Sequence, residues 1–155
     1  MIKFGTDGIR GRAGQFPCTV DTALRIGRAA VAVCEGPKKV VMVARDTRAS
    51  GTTFEAALLA AISQAGGTAI CAGVLPTAGL MANVAAGHAE IGVMVTASHN
   101  AHADNGFKIV GPNGKKLTED LAQNIEQILD ENIYTESIGV VIQGSFAARS
   151  LYFDA

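Results

Sequence analysis

Three short, largely apolar runs constrain this chain most: residues 40–44, 68–72 and 91–97. Each is too short for a stable helix and lacks the alternation of a strand with one wet face. Each therefore suits a strand buried on both faces, the kind found in parallel sheets. Between them, apolar residues fall at helical spacing. Residues 21–33 carry Leu24, Ile26, Ala30, Val31 and Val33, and Gly36-Pro37 stops the pattern. Thr52 and Glu55 fit a capping box for a helix over 53–65, closed by Gly66-Gly67. Residues 77–86 read as a short helix. Thr118, with Glu119 and Asp120 in the first turn, opens another helix that runs to about Glu131. Residues 107–110 read as a hairpin partner of 91–97 across an Asn105-Gly106 turn, and 138–142 as a last strand. The alternation predicts an α/β fold with three α/β/α layers, a mostly parallel sheet and one antiparallel strand.

Composition narrows the function classes. The chain has 155 residues, one domain's worth. Its net charge of −1 offers no footprint for nucleic acid. No apolar run reaches the ~18 residues of a membrane-spanning helix, and Met1-Ile2-Lys3-Phe4-Gly5 lacks the form of a secretory signal. Cys18, Cys34 and Cys71 are odd in number, far apart and set in apolar segments. They read as buried thiols of a reduced, cytoplasmic protein. Charged residues make up only 17% of the chain, against ~25% in typical soluble domains. Two readings stay open: a surface partly covered by other domains, or simply an Ala/Gly-rich sequence. Residues 146–155 resemble the start of a connection to a second domain, with residues 1–145 as the domain itself.

The chemistry gathers around Val95-Thr96-Ala97-Ser98-His99-Asn100 and Asp104-Asn105-Gly106-Phe107-Lys108-Ile109. Ser98 ends a buried strand, where open α/β sheets bind their ligands. A serine hydroxyl is a poor nucleophile without a base, a metal or a field of donors. The segment Gly5-Thr6-Asp7-Gly8-Ile9-Arg10-Gly11 reads as a loop of small residues with one cation, Arg10, suited to a phosphate. The strand pleat sends Lys108 to the face opposite Phe107 and Ile109, where a partly desolvated amine can act as general acid/base. His99 adjoins Ser98 too closely in sequence to serve readily as its base, and no Gly-x-Ser-x-Gly elbow is present, so a Ser-His-Asp hydrolase is disfavoured. No Gly-x-Gly-x-x-Gly follows the first strand, which disfavours a nicotinamide-binding protein. Arg45, Asp46 and Arg48 read as a loop-fixing ion-pair group. His88 and His102 have no partners at metal-ligand spacing.

Three separated motifs then carry a resemblance: Phe4-Gly5-Thr6-Asp7-Gly8-Ile9-Arg10-Gly11, Ala44-Arg45-Asp46-Thr47-Arg48-Ala49-Ser50-Gly51, and Thr96-Ala97-Ser98-His99-Asn100 with Asp104-Asn105-Gly106-Phe107-Lys108. In this order they resemble the first domain of the α-D-phosphohexomutase family, and the opening octapeptide looks most like its phosphoglucosamine mutase branch. The resemblance implies an enzyme, an intramolecular phosphotransferase, that moves phosphate between the 6- and 1-positions of a hexose. Ser98 would be the phosphoserine, passing its phosphoryl group to a sugar phosphate through a bisphosphate intermediate. It implies Arg10 beside the phosphoserine, Lys108 as general acid/base, His99 in a supporting role and Asn100 orienting the loop. Thr6, Asp7 and Gly8 would support the phosphate, and Mg²⁺ would be held through the Ser98 phosphate. No Asp-Gly-Asp-x-Asp loop occurs in the chain, so the resemblance places the other metal ligands, and the sugar-selecting loops, on further mutase domains. Alone the chain would not turn over. Glucosamine phosphate is the expected substrate, with glucose and mannose phosphates as alternatives. A phosphosugar-binding module without chemistry, and a structural domain pairing with another polypeptide, are the other readings. Ala101 stands where the family usually has proline, which gives the loop chain more freedom.

Overall fold

The computed structural model describes residues 2–5, 7–131, 135 and 137–144. Thr6 and the expected connection at 146–155 lie outside the described residues. The elements run β1 (Ile9–Arg12), α1 (Val20–Ala32), β2 (Val40–Arg45), α2 (Gly51–Gln64), β3 (Thr68–Val74), α3 (Thr77–Ala85), β4 (Ile91–Val95), β5 (Asp104–Val110), a 3₁₀ turn (Pro112–Gly114), α4 (Glu119–Leu129) and β6 (Val140–Gln143).

The six strands form one sheet in the order β1-β5-β4-β2-β3-β6. β2 pairs in parallel with β3 and β4, and β3 pairs in parallel with β6. β5 alone runs the other way, antiparallel to β4 and to β1. Helices cover both faces, as the alternation predicts. On one face Ile26, Leu58 and Ile125, from α1, α2 and α4, meet Val43, Val93 and Phe107. On the other, Leu80 and Val84 from α3 meet Met42, Met94 and Val110. All five residues of β4 are buried, so its run is apolar without alternation. Gly27 brings α1 close to α2: a Cβ there would sit 2.8 Å from Ala61 Cβ.

Thr19 and Thr118 cap α1 and α4, each accepting a hydrogen bond from the amide three residues on, Thr22 N at 3.2 Å and Leu121 N at 3.3 Å.

The expected capping box at Thr52 and Glu55 does not form. α2 begins at Gly51, and Ser50 before it makes no side-chain cap bond. Its hydroxyl instead accepts from Asn105 Nδ2 at 2.8 Å, and Glu55 faces Arg45 across the helix–sheet seam. The expected Asn105-Gly106 turn is also overturned. Both residues lie inside β5, fully paired with Gly11 and Arg10 of β1. A Cβ at Gly106 would collide with the carbonyl oxygens of Ile9 and Thr96. The glycine therefore permits close approach of β1 and of Thr96, the first residue after β4, and the true connection from β4 is residues 96–103. β1 also departs from the expected loop over residues 5–11: with only Ile9 of its four residues buried, it carries almost no strand pattern.

Candidate functional site

The parallel strands β2, β3 and β4 end at Arg45, Val74 and Val95. The chain leaves β2 for β3 on one side and returns across β2 to β4 on the other. The carboxyl ends of β2 and β4 thus flank a topological switch point, where open α/β sheets form their binding crevice. Two loops meet there: 46–50 after β2 and 96–103 after β4.

Ser98 sits in the second loop, exposed, with φ of 54°. A non-glycine residue in this left-handed region is strained by about 1–2 kcal/mol. Its backbone is nevertheless held on both sides. Ser98 N donates to Thr96 Oγ1 at 3.0 Å, and Thr96 Oγ1 donates to Asp46 Oδ2 at 2.7 Å. Ser98 O accepts from Arg48 Nη2 at 2.9 Å. The same guanidinium donates to the carbonyls of Asn100 at 3.0 Å, Ala101 at 2.6 Å and Asp104 at 3.1 Å, and its Nε to Asp46 Oδ2 at 3.1 Å. Ser98 Oγ has no hydrogen-bond partner among the described residues, so the backbone is fixed and the hydroxyl left available. Asn100 Nδ2 reaches Asp104 Oδ2 at 3.3 Å, within the loop.

The other expected site residues gather at the same edge. Arg10 pairs with Gly106 on β5, two residues from Lys108, so the pleat puts both side chains on one face, the α3 face. Lys108 pairs with Met94, which packs against α3, and thus points away from Phe107 and Ile109 as expected. Gly8 has φ of 83°, and a Cβ there would strike Phe107 O. Glycine at this point lets the segment carrying Asp7 lie against β5 beside Lys108. His99 and Asp7 are exposed. Among the described residues the side chains of His99, Lys108, Arg10 and Asp7 have no hydrogen-bond or ion-pair partner, so a visiting anion has no resident competitor for the cations.

Two contacts escaped the sequence reading. Asn105, fully buried, uses its side chain to tie Ser50 to β5 and accepts from Gly106 N at 2.9 Å. Glu126 on α4 accepts from Phe4 N at 2.7 Å and Gly5 N at 3.0 Å. No local signal marks the Asn105–Ser50 tie or the Glu126 bonds, since those partners lie far apart in sequence. The bonds from Gly5 and Phe4 hold the Glu126 carboxyl below its ordinary value of 4.5. The latch is therefore in place above the ordinary value and is lost as pH falls through the lowered one. In an NMR titration from pH 6 to 3, the Phe4 and Gly5 amides are expected to move with a midpoint below 4.5, and Glu126→Gln should flatten both curves. Unmoved amides in the wild type would remove the latch.

Residues 1–136 match the family model for phosphoglucomutase/phosphomannomutase, alpha/beta/alpha domain I. The chain belongs to that family. Relatives named phosphoglucosamine mutase include those of Halorhodospira halophila, 46% identical over 130 residues, and Thermus thermophilus, 42% identical over 154 residues. These alignments cover 83% and 97% of this chain but only 28% and 35% of the relatives. The chain thus spans about a third of the length of the relatives it matches. A crystal structure of a phosphoglucomutase/phosphomannomutase family protein from Burkholderia thailandensis superposes with a TM-score of 0.74 at 29% identity, covering 92% of this chain and 33% of that one. The three-layer fold is that of domain I of the α-D-phosphohexomutases. No described helix is long and apolar enough to cross a membrane.

Proposed function

We propose that this chain is the catalytic-serine domain of a hexose-phosphate mutase, and that the hexose is glucosamine. One observation carries the reading. Ser98 is exposed at the switch point in a strained conformation, with its backbone held from both sides and its hydroxyl unengaged. Such strain persists where the surroundings over-determine it, commonly at functional sites. The relatives' names support glucosamine phosphate.

In this reading phosphoserine 98 donates its phosphoryl group to a sugar hydroxyl. The P–Oγ bond breaks, a P–O bond to the sugar forms, and the hydroxyl proton passes through Lys108 to end on Ser98 Oγ. The bisphosphate then turns over and returns its other phosphoryl group. Arg10 neutralises phosphate charge, His99 assists the proton, and Asn100 with the Thr6-Asp7-Gly8 segment supports the loop. Phosphoryl transfer depends on such positioning and charge neutralisation. A Mg²⁺ site is not complete in these residues. Among the described residues no three His, Cys, Asp or Glu side chains are placed to hold a metal, and Arg48 and Thr96 occupy the Asp46 carboxylate. The Ser98 phosphate would be this chain's ligand to the ion. Further mutase domains would complete the metal and sugar sites, so the isolated chain would not turn over. Burial raises Cys34 to about 12 and Cys18 to about 11, and the three free, buried cysteines support the reading of a reduced, cytoplasmic protein.

The test is an assay of the full-length protein with glucosamine 6-phosphate and a trace of its 1,6-bisphosphate. Formation of glucosamine 1-phosphate, faster than the glucose and mannose reactions, is expected. A preference for either of those sugars overturns the assignment of glucosamine, and no turnover on any of the three overturns the mutase.

A further inference from the structure

We infer that Arg48 is the positioning residue for Ser98, the cation around which the serine loop is wound. The inference rests on the reading of Ser98 as the phosphoryl carrier. An arginine has five N–H donors in a planar fork. Here the fork meets the Asp46 carboxylate and four loop carbonyls, those of Ser98, Asn100, Ala101 and Asp104. Four carbonyl dipoles aimed at one point repel one another unless a cation sits at their focus. The Arg48 side chain is only 10% exposed, so water screens that attraction little.

The arrangement also explains how Ser98 keeps its left-handed backbone without glycine. Its amide leads through Thr96 to Asp46, and its carbonyl leads through Arg48 to the same carboxylate. Both peptide groups flanking its Cα are thereby anchored to one point on the loop after β2. The direction of the Cα–Cβ bond follows, and with it the place from which Oγ can act. The anchor crosses the switch point: a residue after β2 shapes the loop after β4. It also supplies rigidity where Ala101 stands, since Ala101 O is one of the four carbonyls held. Arg48 itself has no donor left for substrate. Lysine cannot replace it, because an ammonium has three donors on a flexible stem and no fork.

The experiment uses the full-length protein with Arg48→Lys and Arg48→Ala. In each, kcat is expected to fall about 100-fold, the size of effect produced by misplacing a reacting group by an ångström, while KM for the sugar phosphate stays within about twofold. Amide exchange in residues 97–104 should quicken while β2 and β4 stay protected. Added guanidinium should restore part of the Arg48→Ala rate and none of a Ser98→Ala rate. Wild-type loop protection in Arg48→Lys overturns the inference, as does a KM rise that matches the kcat loss. The exchange arm does not depend on phosphoryl chemistry. A loosened loop in the variants, together with a wild-type protein that never carries phosphoserine, would uphold the clamp and overturn the function proposed for Ser98.

Discussion

Replacing Ser98 by glycine is expected to abolish phosphoryl transfer in the full-length protein and, at the same time, to stabilise it. The loss follows from chemistry: the neighbouring Thr96 hydroxyl is engaged with Asp46 and with the amide of residue 98, and removing a nucleophile of this kind typically costs on the order of 10⁴-fold or more. The gain follows from the backbone. Ser98 holds φ at 54°, where a Cβ is unfavourable and glycine is not. Relief of roughly 1 kcal/mol is expected, read as a rise in the Tm of this domain. Ser98→Ala should lose the same activity with stability within about 0.5 kcal/mol of wild type, because the side chain is exposed. The contrast separates two meanings of the residue. Thermal melting beside a phosphotransfer assay reads both. A Ser98→Gly protein that melts below wild type would show that the left-handed turn is not strained. Activity surviving in either variant would remove Ser98 from the chemistry.

The parts of this fold that sequence reasoning reached are those whose signal is local. β2 and β4 lie inside the sheet with helices on both faces, so their runs are apolar without a break and easily recognised. Thr118 caps its helix through a bond three residues long. The failures share a different cause. Asn105-Gly106 carries the composition of a hairpin turn, but two residue-level demands outweighed that preference. Gly106 has to admit Ile9 O and Thr96 O where a Cβ would stand, and Asn105 has to reach Ser50. Both demands come from strands and loops some 10 to 100 residues away. β1 was missed because an edge strand with a single buried side chain has almost no hydrophobic pattern. Arg48 was legible as a loop-fixing residue, yet nothing in Arg45-Asp46-Thr47-Arg48 identifies the four carbonyls it gathers from a loop 50 residues on. The motif order therefore says where to look for a site and not how its loop is held.

Breaking the Arg45–Glu55 pair is expected to have the largest effect on stability. Arg45 Nε lies 3.3 Å from Glu55 Oε2, and the two side chains are 20% and 13% exposed. Among the described residues neither of these atoms has a hydrogen-bond partner, so each depends on the other's charge. Removing one partner of a buried pair leaves an uncompensated charge, at about 3–5 kcal/mol when burial is complete. With the residual exposure here, Glu55→Ala is expected to destabilise by about 2–3 kcal/mol. The double replacement Arg45→Met with Glu55→Leu removes both charges and fills the space, and should return close to wild type, because desolvation offsets much of what such a pair contributes. Urea denaturation of the four proteins in a double-mutant cycle gives the coupling directly. Additive losses would mean that the two residues act separately, through packing alone. The pair also joins the end of β2 to α2 one residue before Asp46, the carboxylate on which the Ser98 anchor converges. If its use is to hold that residue in register, the double variant will recover stability while the amides of 97–104 still exchange fast. The charge pair would then be retained for the geometry of the serine loop and not for its small net contribution to folding.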